Sequence, residues 1–213
     1  IEKESKYKVV GIIDSVAEVG SEMFGYQVVG RLEDILELMV KHNFKSGIIT
    51  IGDNYARCFV RDFIVSILPD FIFVNAIHPT VPIGRNAKIG VGNVIMAGVI
   101  INPDAEIRDF CILNTGSQLE HNCYMDSFSH LSAGSVTGGK VRIGKLSAIT
   151  LNVTILDRLT IGENTVVGSG SVVLKDLPDI YVLISKNDFP FDKLTSTQKK
   201  LINLSKKNKN VVL

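Results

Sequence analysis

From Ile83 onward the sequence keeps a period of six. Ile83, Ile89, Ile95, Ile101, Ile107, Leu113, Leu119, Met125, Leu131, Thr137, Ile143, Ile149, Ile155, Ile161, Val167 and Val173 follow one another without a slip, and fifteen of the sixteen are aliphatic or Met. Four residues after each comes mostly a small or β-branched residue: Ala87, Val99, Ala105, Cys111, Ser117, Cys123, Ser129, Ser135, Val141, Ser147, Val153, Thr165, Ser171. A helix repeats at about 3.6 residues and a strand at 2, so neither produces a period of six. One inward aliphatic and one small residue per hexad fit a triangular parallel β-solenoid with three hexads per coil. Some ninety residues make about five coils, and at the ~4.8 Å spacing of paired strands the prism is roughly 25 Å tall.

Residues 1–76 have another rhythm. "YKVVGIID" is a continuous apolar run of the kind a buried parallel strand shows, and "RLEDILELMVKH" sets Leu32, Ile35, Leu36 and Met39 at helical spacing. "SGIITIG" reads as a second strand, "NYARCFVRDFIVSIL" as a second helix and "FIFVNAI" as a third strand. That alternation predicts a small parallel sheet with right-handed crossovers. The sequence opens "IEKESKYKVV", without Met and almost at once in a strand, so an earlier strand is expected to be missing. The tail "LTSTQKKLINLSKKNK" has a Thr195–Gln198 capping pattern and reads as a solvated basic helix. Three segments follow: residues 1–76, 77–180 and 181–213.

Charge narrows the function classes. The formal net charge is +1 over 213 residues, with no basic stripe before the last dozen, which argues against nucleic acid or a membrane surface as partner. No apolar run approaches the ~20 residues that span a bilayer, and no secretory signal is visible. Cys58, Cys111 and Cys123 are few, odd in number and far apart, as reduced thiols in a cytoplasmic protein are. Cys111 and Cys123 hold the small inward position and read as packing residues.

The stretch "NTGSQLEHNCYMDSFSHLS", residues 114–132, carries His121 and His130. His121 is third in the hexad that starts at Leu119, near a corner; His130 is last in the hexad that starts at Met125 and faces outward. Gly139 lies eighteen residues beyond His121, one coil above it, and leaves room beside the imidazole. A metal site needs ligands stacked at one corner. His78 and His121 are 43 residues apart, no multiple of eighteen, and His121 and His130 are half a coil apart, so no metal is expected. An idle surface pair and a catalytic base both remain open on these residues alone.

The hexads followed by this stretch resemble the left-handed β-helix sugar acyltransferases. The match is to the branch that N-acetylates nucleotide-linked amino sugars or O-acetylates sialic acids, in which a small Rossmann-like domain precedes the solenoid. The resemblance implies an α/β plus β-solenoid chain, with residues 1–76 binding the nucleotide sugar, and a cytoplasmic homotrimer with active sites between subunits. It implies acetyl-CoA as acyl donor and His121 as general base, since an imidazole of ordinary pKa ~6.5 suits proton transfer near neutral pH. Asn122 stands beside the base, where the family usually has Asp or Glu, and Asn114 orients the acceptor or the base. His130 meets the acetyl-CoA carbonyl or thioester. Gly139, Leu151 and Ser169, taken to lie on successive coils, line the pantetheine groove. Asp14 and Ser15 after the first strand, and Gly52, Asp53 and Asn54 at a helix N-terminus, meet the nucleotide; for Asp14, a turn or N-cap role is equally compatible. The walls expected to meet other copies carry Ile112 and Val99. The family's Gly-rich opening turn is absent, and its usual ending is replaced by "LISKNDFPFDK". O-acetylation of a sialic-acid-like sugar, or a non-catalytic solenoid module, are the alternatives.

Overall fold

In the computed structural model, residues 1–183 and the strand Val211–Val212 are described. The basic helix expected around Thr195–Gln198 lies outside the described residues. From Lys88 to Val173, two-residue strands alternate with four-residue corners and pair in parallel at an offset of eighteen, Val94 with Ile112, Ile112 with His130, His130 with Ala148, Ala148 with Val166, and the last rung shortens to sixteen, Val166 with Val182. Three walls result. The first includes Ala76–Ile77, Val94–Ile95, Ile112–Leu113, His130–Leu131, Ala148–Ile149, Val166–Val167 and Val182–Leu183, to which Val211–Val212 adds in parallel. The second runs from Ile100–Ile101 through Gln118–Leu119 to Val172–Val173, and the third from Lys88–Ile89 through Tyr124–Met125 to Thr160–Ile161.

The six-residue period is the direct cause of this shape. The second residue of each two-residue strand points inward, so Ile95, Leu113, Leu131, Ile149 and Val167 stack in one column and Ile107, Met125, Ile143 and Ile161 in another, all at most 1% exposed. Each contributes on the order of 1.5–3 kcal/mol of hydrophobic stabilisation. Thr137, the one polar member of the series, is 1% exposed and accepts a hydrogen bond from the Glu120 N–H (3.0 Å).

The small position is also an internal hydrogen-bond ladder. Ser147 Oγ donates to the Gly162 carbonyl and accepts from Thr165 N; Thr165 Oγ1 donates in turn to the Pro178 carbonyl. Cys111 takes the same rung lower down: its N–H donates to Asn93 Oδ1 and its Sγ reaches the Asp126 carbonyl at 3.1 Å. Burial pushes the Cys111 thiol up to about 11 and raises that of Cys123, so both remain neutral thiols. Val99, expected on an outer wall, is instead in this core at 0% exposure, because it is fifth in its hexad, an inward address; Ile112 is 4% exposed on the first wall.

The N-terminal part supplies β1 (Ile12–Ile13), β2 (Glu22–Met23), β3 (Tyr26–Gly30), α1 (Ile35–His42), β4 (Ser46–Gly47), α2 (Asn54–Ile67) and β5 (Ile72–Phe73). β1 pairs with β3 and β4 with β5, both in parallel. β2 and β3 form an antiparallel hairpin that the apolar pattern did not announce; its turn at Phe24 and Gly25 uses positive φ, 53° and 82°. The segment "FIFVNAI" does not stay one strand. Its first half is β5, and Ala76–Ile77 already pairs with the solenoid at Val94–Ile95.

Candidate active site

From Asn86 to Gly170 each corner holds a residue in the left-handed conformation, and which residue stands there decides what the corner presents. At the corner between the second and third walls the column is Asn86, Asp104, Asn122, Lys140 and Arg158, with φ from 58° to 63°. Asn adopts this region readily. The backbone beside Asn122 is pinned from two coils, since Asn122 N donates to the Pro103 carbonyl (3.0 Å) and Lys140 N to the His121 carbonyl (2.9 Å).

That pinning sets the His121 side chain. Its Nδ1 lies 3.0 Å from Asn122 Oδ1. A carbonyl oxygen can only accept, so in the neutral ring this contact selects the tautomer with the proton on Nδ1 and the lone pair on Nε2. The ring lies directly over Gly139: a Cβ built there would stand 2.4 Å from Nε2 and 2.6 Å from Cε1. His121 and Asn122 are exposed to solvent. The corner therefore offers an oriented imidazole with an unprotonated nitrogen, the arrangement a general base requires.

Asn114, Leu151 and Ser169 lie at another corner, between the first and second walls. Leu151 and Ser169 are eighteen apart and share a column; Leu151 is 51% exposed, and Ser169 Oγ donates to Thr150 Oγ1 (3.1 Å). Gly139 is not in that column. Twelve residues separate it from Leu151, which is two hexads and moves the chain two walls round, so the expected run of successive coils is corrected to two corners. Asn114 Oδ1 accepts from the Thr115 N–H at 2.7 Å.

His130 faces outward from the first wall, as its hexad position requires, yet it is half-buried because the N-terminal part lies against it. Its Nε2 is buried and has no hydrogen-bond partner among the described residues. Burial, then the charge of Arg57, lower its pKa to about 4, against a smaller opposing pull from the Gly52 carbonyl. The ring is therefore neutral at neutral pH.

The "GDNYAR" segment mostly makes the junction. Asp53 caps α2, accepting from Ala56 N at 2.9 Å. Asn54 is 6% exposed, donates Nδ2 to the Leu146 and Ser147 carbonyls (both 3.1 Å) and accepts at Oδ1 from Arg57. Its amide is consumed by docking, which corrects its expected place among nucleotide contacts. Tyr55 OH donates to Asn164 Oδ1 (2.7 Å). Arg57, fully buried, uses all five donors: Nε to Phe110 O (2.8 Å), Nη1 to Ile51 O (2.8 Å) and Gly52 O (3.2 Å), Nη2 to Asn54 Oδ1 (2.7 Å) and Phe128 O (3.0 Å). Burial lowers its pKa to about 10, so it stays charged at neutral pH.

Phe110, Phe128, Leu146 and Asn164 form the left-handed column of the remaining corner, so α2 binds four successive coils. The Phe110 and Phe128 rings stack at 5.0 Å, and Arg61 sits 4.9 Å over Phe128. Sequence reasoning missed Tyr55, Arg57 and this aromatic pair. The available signal was two Phe residues eighteen apart at a turn position that bulky residues avoid.

Of the nucleotide candidates in the first loop, Asp14 closes a turn. Its Oδ1 accepts from Ala17 N and Val16 N (both 2.8 Å), bonds that hold its carboxyl below the usual carboxylate range. Ser15 and Gly52 are exposed, and nothing lies within 4 Å of a Cβ built at Gly52. Among the described residues no group of three or more His, Cys, Asp or Glu could hold a metal ion, and no helix is long and apolar enough to cross a membrane.

No protein-family model matches the chain. A mutant of perosamine N-acetyltransferase from Caulobacter crescentus, solved with CoA and GDP-perosamine, is 32% identical with a TM-score of 0.73, over 83% of this chain and 82% of that one. The acetyltransferase domain of PglB from Neisseria gonorrhoeae FA1090, solved with acetyl coenzyme A, is 26% identical with a TM-score of 0.78, over 88% of each. Bifunctional protein GlmU from Nitratidesulfovibrio vulgaris is 25% identical over 189 residues, 81% of this chain; the chain spans only 38% of that relative's length.

Proposed function

We propose, from the premise that this chain belongs to the left-handed β-helix, hexapeptide-repeat sugar acyltransferases, that it transfers an acetyl group from acetyl-CoA to the amine of a nucleotide-linked amino sugar in surface-glycan synthesis. The observation that carries this reading is the exposed His121 imidazole, held with Nδ1 3.0 Å from Asn122 Oδ1 and its ring over Gly139, so that its neutral form can take a proton at Nε2. The sugar amine attacks the thioester carbonyl carbon, and Nε2 takes the proton the amine loses. The tetrahedral intermediate then expels CoA as thiolate, which recovers a proton, leaving an N-acetyl sugar and free CoA. No acyl-enzyme is needed: Cys111 and Cys123 are buried thiols of raised pKa and are poor nucleophiles.

The site is shared between copies of a cytoplasmic homotrimer. His121 with Gly139, Asn114 with Leu151 and Ser169, and His130 stand on three different sides of one prism. They serve a single acetyl-CoA only if one copy's corner meets another's. Leu151, Leu156, Val172 and Leu174, between 45% and 68% exposed around the second wall, support such an interface. Gly139 of one copy and Leu151 and Ser169 of the next line the pantetheine groove, His130 meets the acetyl-CoA end, and Asn114 orients the acceptor. Residues 1–76, a Rossmann-like domain in this reading, bind the nucleotide through Asp14, Ser15, Gly52 and Asp53. Residues 77–180 carry the chemistry and 181–213 are an extension.

The test is release of CoA, followed with a thiol reagent, over a panel of nucleotide amino sugars and one sialic acid. Turnover with an amine supports the reading; turnover only with the hydroxyl acceptor makes it an O-acetyltransferase. No turnover and no CoA binding would leave a non-catalytic module.

A further inference from the structure

The diphosphate of a nucleotide sugar is an anion, yet the contacts Asp14, Ser15, Gly52 and Asp53 include two carboxylates and no cation. Among the cations of residues 1–76, Lys3, Lys6 and Lys8 precede β1, Lys45 precedes β4, and Lys41 lies in the last turn of α1, so all five stand toward the amino ends of the strands. Arg57 spends its donors within the chain, and Arg61 lies over the Phe128 ring with Asp62 Oδ1 at 2.7 Å. Arg31 is left. It follows Gly30 at the end of β3, beside Asp14 at the end of the parallel neighbour β1. Open α/β sheets take their ligands at that edge, outside the carboxyl ends of the strands. Leu32, next to Arg31, packs in one apolar cluster with Ile13 and Ile49, so the loops that carry Asp14 and Gly52 leave the same core.

One side of the Arg31 guanidinium is already fixed. Nη1 donates to the carbonyls of Asp14 and Ala17, the second at 2.6 Å. Asp14 Oδ1 folds the same loop by accepting from Val16 N and Ala17 N, both at 2.8 Å. The donors left over in residues 14–17 are the N–H and hydroxyl of exposed Ser15, which have no partner among the described residues. Nε and Nη2 of Arg31 have none among them either. In a planar guanidinium these two N–H groups point the same way, a fork that matches two phosphate oxygens. We propose that Arg31 binds the diphosphate of the nucleotide sugar through its Nε–Nη2 edge, with Ser15 as the second donor, while Nη1 holds the loop. This rests on the reading of residues 1–76 as the nucleotide-binding part. The clamp orders the fork in advance, so little side-chain entropy is lost when the ligand arrives.

Two ligands separate the fork from the clamp. Arg31→Lys can still donate to both loop carbonyls from its single nitrogen but has no fork. UDP, GDP and dTDP are titrated into the full chain, and the one that binds wild type most tightly is compared with its own nucleoside, by calorimetry for the diphosphate and ligand-observed NMR for the weaker nucleoside. In Arg31→Lys the preference for diphosphate over nucleoside should fall about tenfold or more, as the loss of charge-assisted hydrogen bonds implies, with the KM for acetyl-CoA within about twofold of wild type. A clamp alone would weaken both ligands together and leave the preference unchanged; that result, or unaltered binding of both, overturns the proposal. If Arg31→Lys does not fold, wild type decides. Phenylglyoxal modifies accessible guanidinium groups, and peptide mass mapping should find Arg31 modified in the free protein, protected by the diphosphate and unprotected by the nucleoside. Arg31 unmodified throughout, or modified equally with the diphosphate present, overturns the proposal. Wild type that binds none of the three diphosphates sinks the nucleotide-sugar reading itself, a failure visible before any variant is made.

Discussion

Replacing Gly139 by Ala puts a methyl group where the catalytic ring lies. The three atoms nearest the new Cβ all belong to His121: Nε2 at 2.4 Å, Cε1 at 2.6 Å and Cδ2 at 3.1 Å. Ordinary contacts between such atoms are ~3.5–4 Å, so the ring must retreat by about 1 Å. The imidazole is exposed and can do so, but it then loses the 3.0 Å bond to Asn122 Oδ1 that fixes its proton. Misplacing a reacting group by about 1 Å costs ~10²-fold, or about 2.7 kcal/mol of barrier. The fold should not suffer. Gly139 has no positive φ, and Gly→Ala at such a position gains ~0.4–1 kcal/mol through the unfolded chain. Steady-state kinetics and a melting curve together give the answer: kcat down ~10²-fold, acetyl-CoA KM little changed, Tm level or slightly raised. Wild-type kcat in Gly139→Ala would refute the steric reasoning, and a collapsed Tm would show that the glycine serves the fold.

Three further outcomes are expected. Asn122→Glu places a carboxylate on Nδ1, favours the imidazolium and moves the acidic limb of the kcat/KM profile to higher pH; Lys140 and Arg158 hold the same φ in the same column, so the longer side chain should fit there, and an unmoved limb would mean that position 122 does not govern the base. His130 titrates at about 4 when folded, below the ordinary ~6.5, so its contribution is complete above about pH 6.5 and lost as pH falls toward 4. Urea titrations should show wild type losing on the order of 2 kcal/mol over that window and His130→Gln losing measurably less; parallel curves would contradict this. Cys111→Ser should change stability by less than ~1 kcal/mol, since Ser147 fills the same kind of rung. Cys111→Val should also cost no more than ~1 kcal/mol, because the Asp126 carbonyl keeps the bond from Ser129 Oγ (2.6 Å) when the thiol is lost, and a loss of several kcal/mol in urea titration would contradict this.

The solenoid was legible because its cause is local. A six-residue period needs only near neighbours, and it correctly placed Cys111 and Cys123 inside and Gly139 against His121. The same arithmetic contained the two corners of Gly139 and Leu151, because twelve residues are not a coil. What the pattern could not carry is contact between distant segments. His130 faces outward by its hexad and is half-buried only because α2, more than sixty residues earlier, covers it. Asn54 resembled a ligand contact at a helix N-terminus, yet its amide meets Leu146 and Ser147, more than ninety residues on. The β2–β3 hairpin escaped because Tyr26–Gly30 mixes polar and apolar residues and turns through left-handed Phe24 rather than an Asn-Gly signal.

The central claim is that His121 acts as the base in direct acetyl transfer, and His121→Ala measures it most directly. With the best acceptor from the panel, kcat should fall ~10²-fold or more while the KM for acetyl-CoA stays within about twofold, because only proton transfer is lost. A variant that keeps kcat and instead loses acetyl-CoA affinity would contradict the account and transfer the catalytic role away from His121.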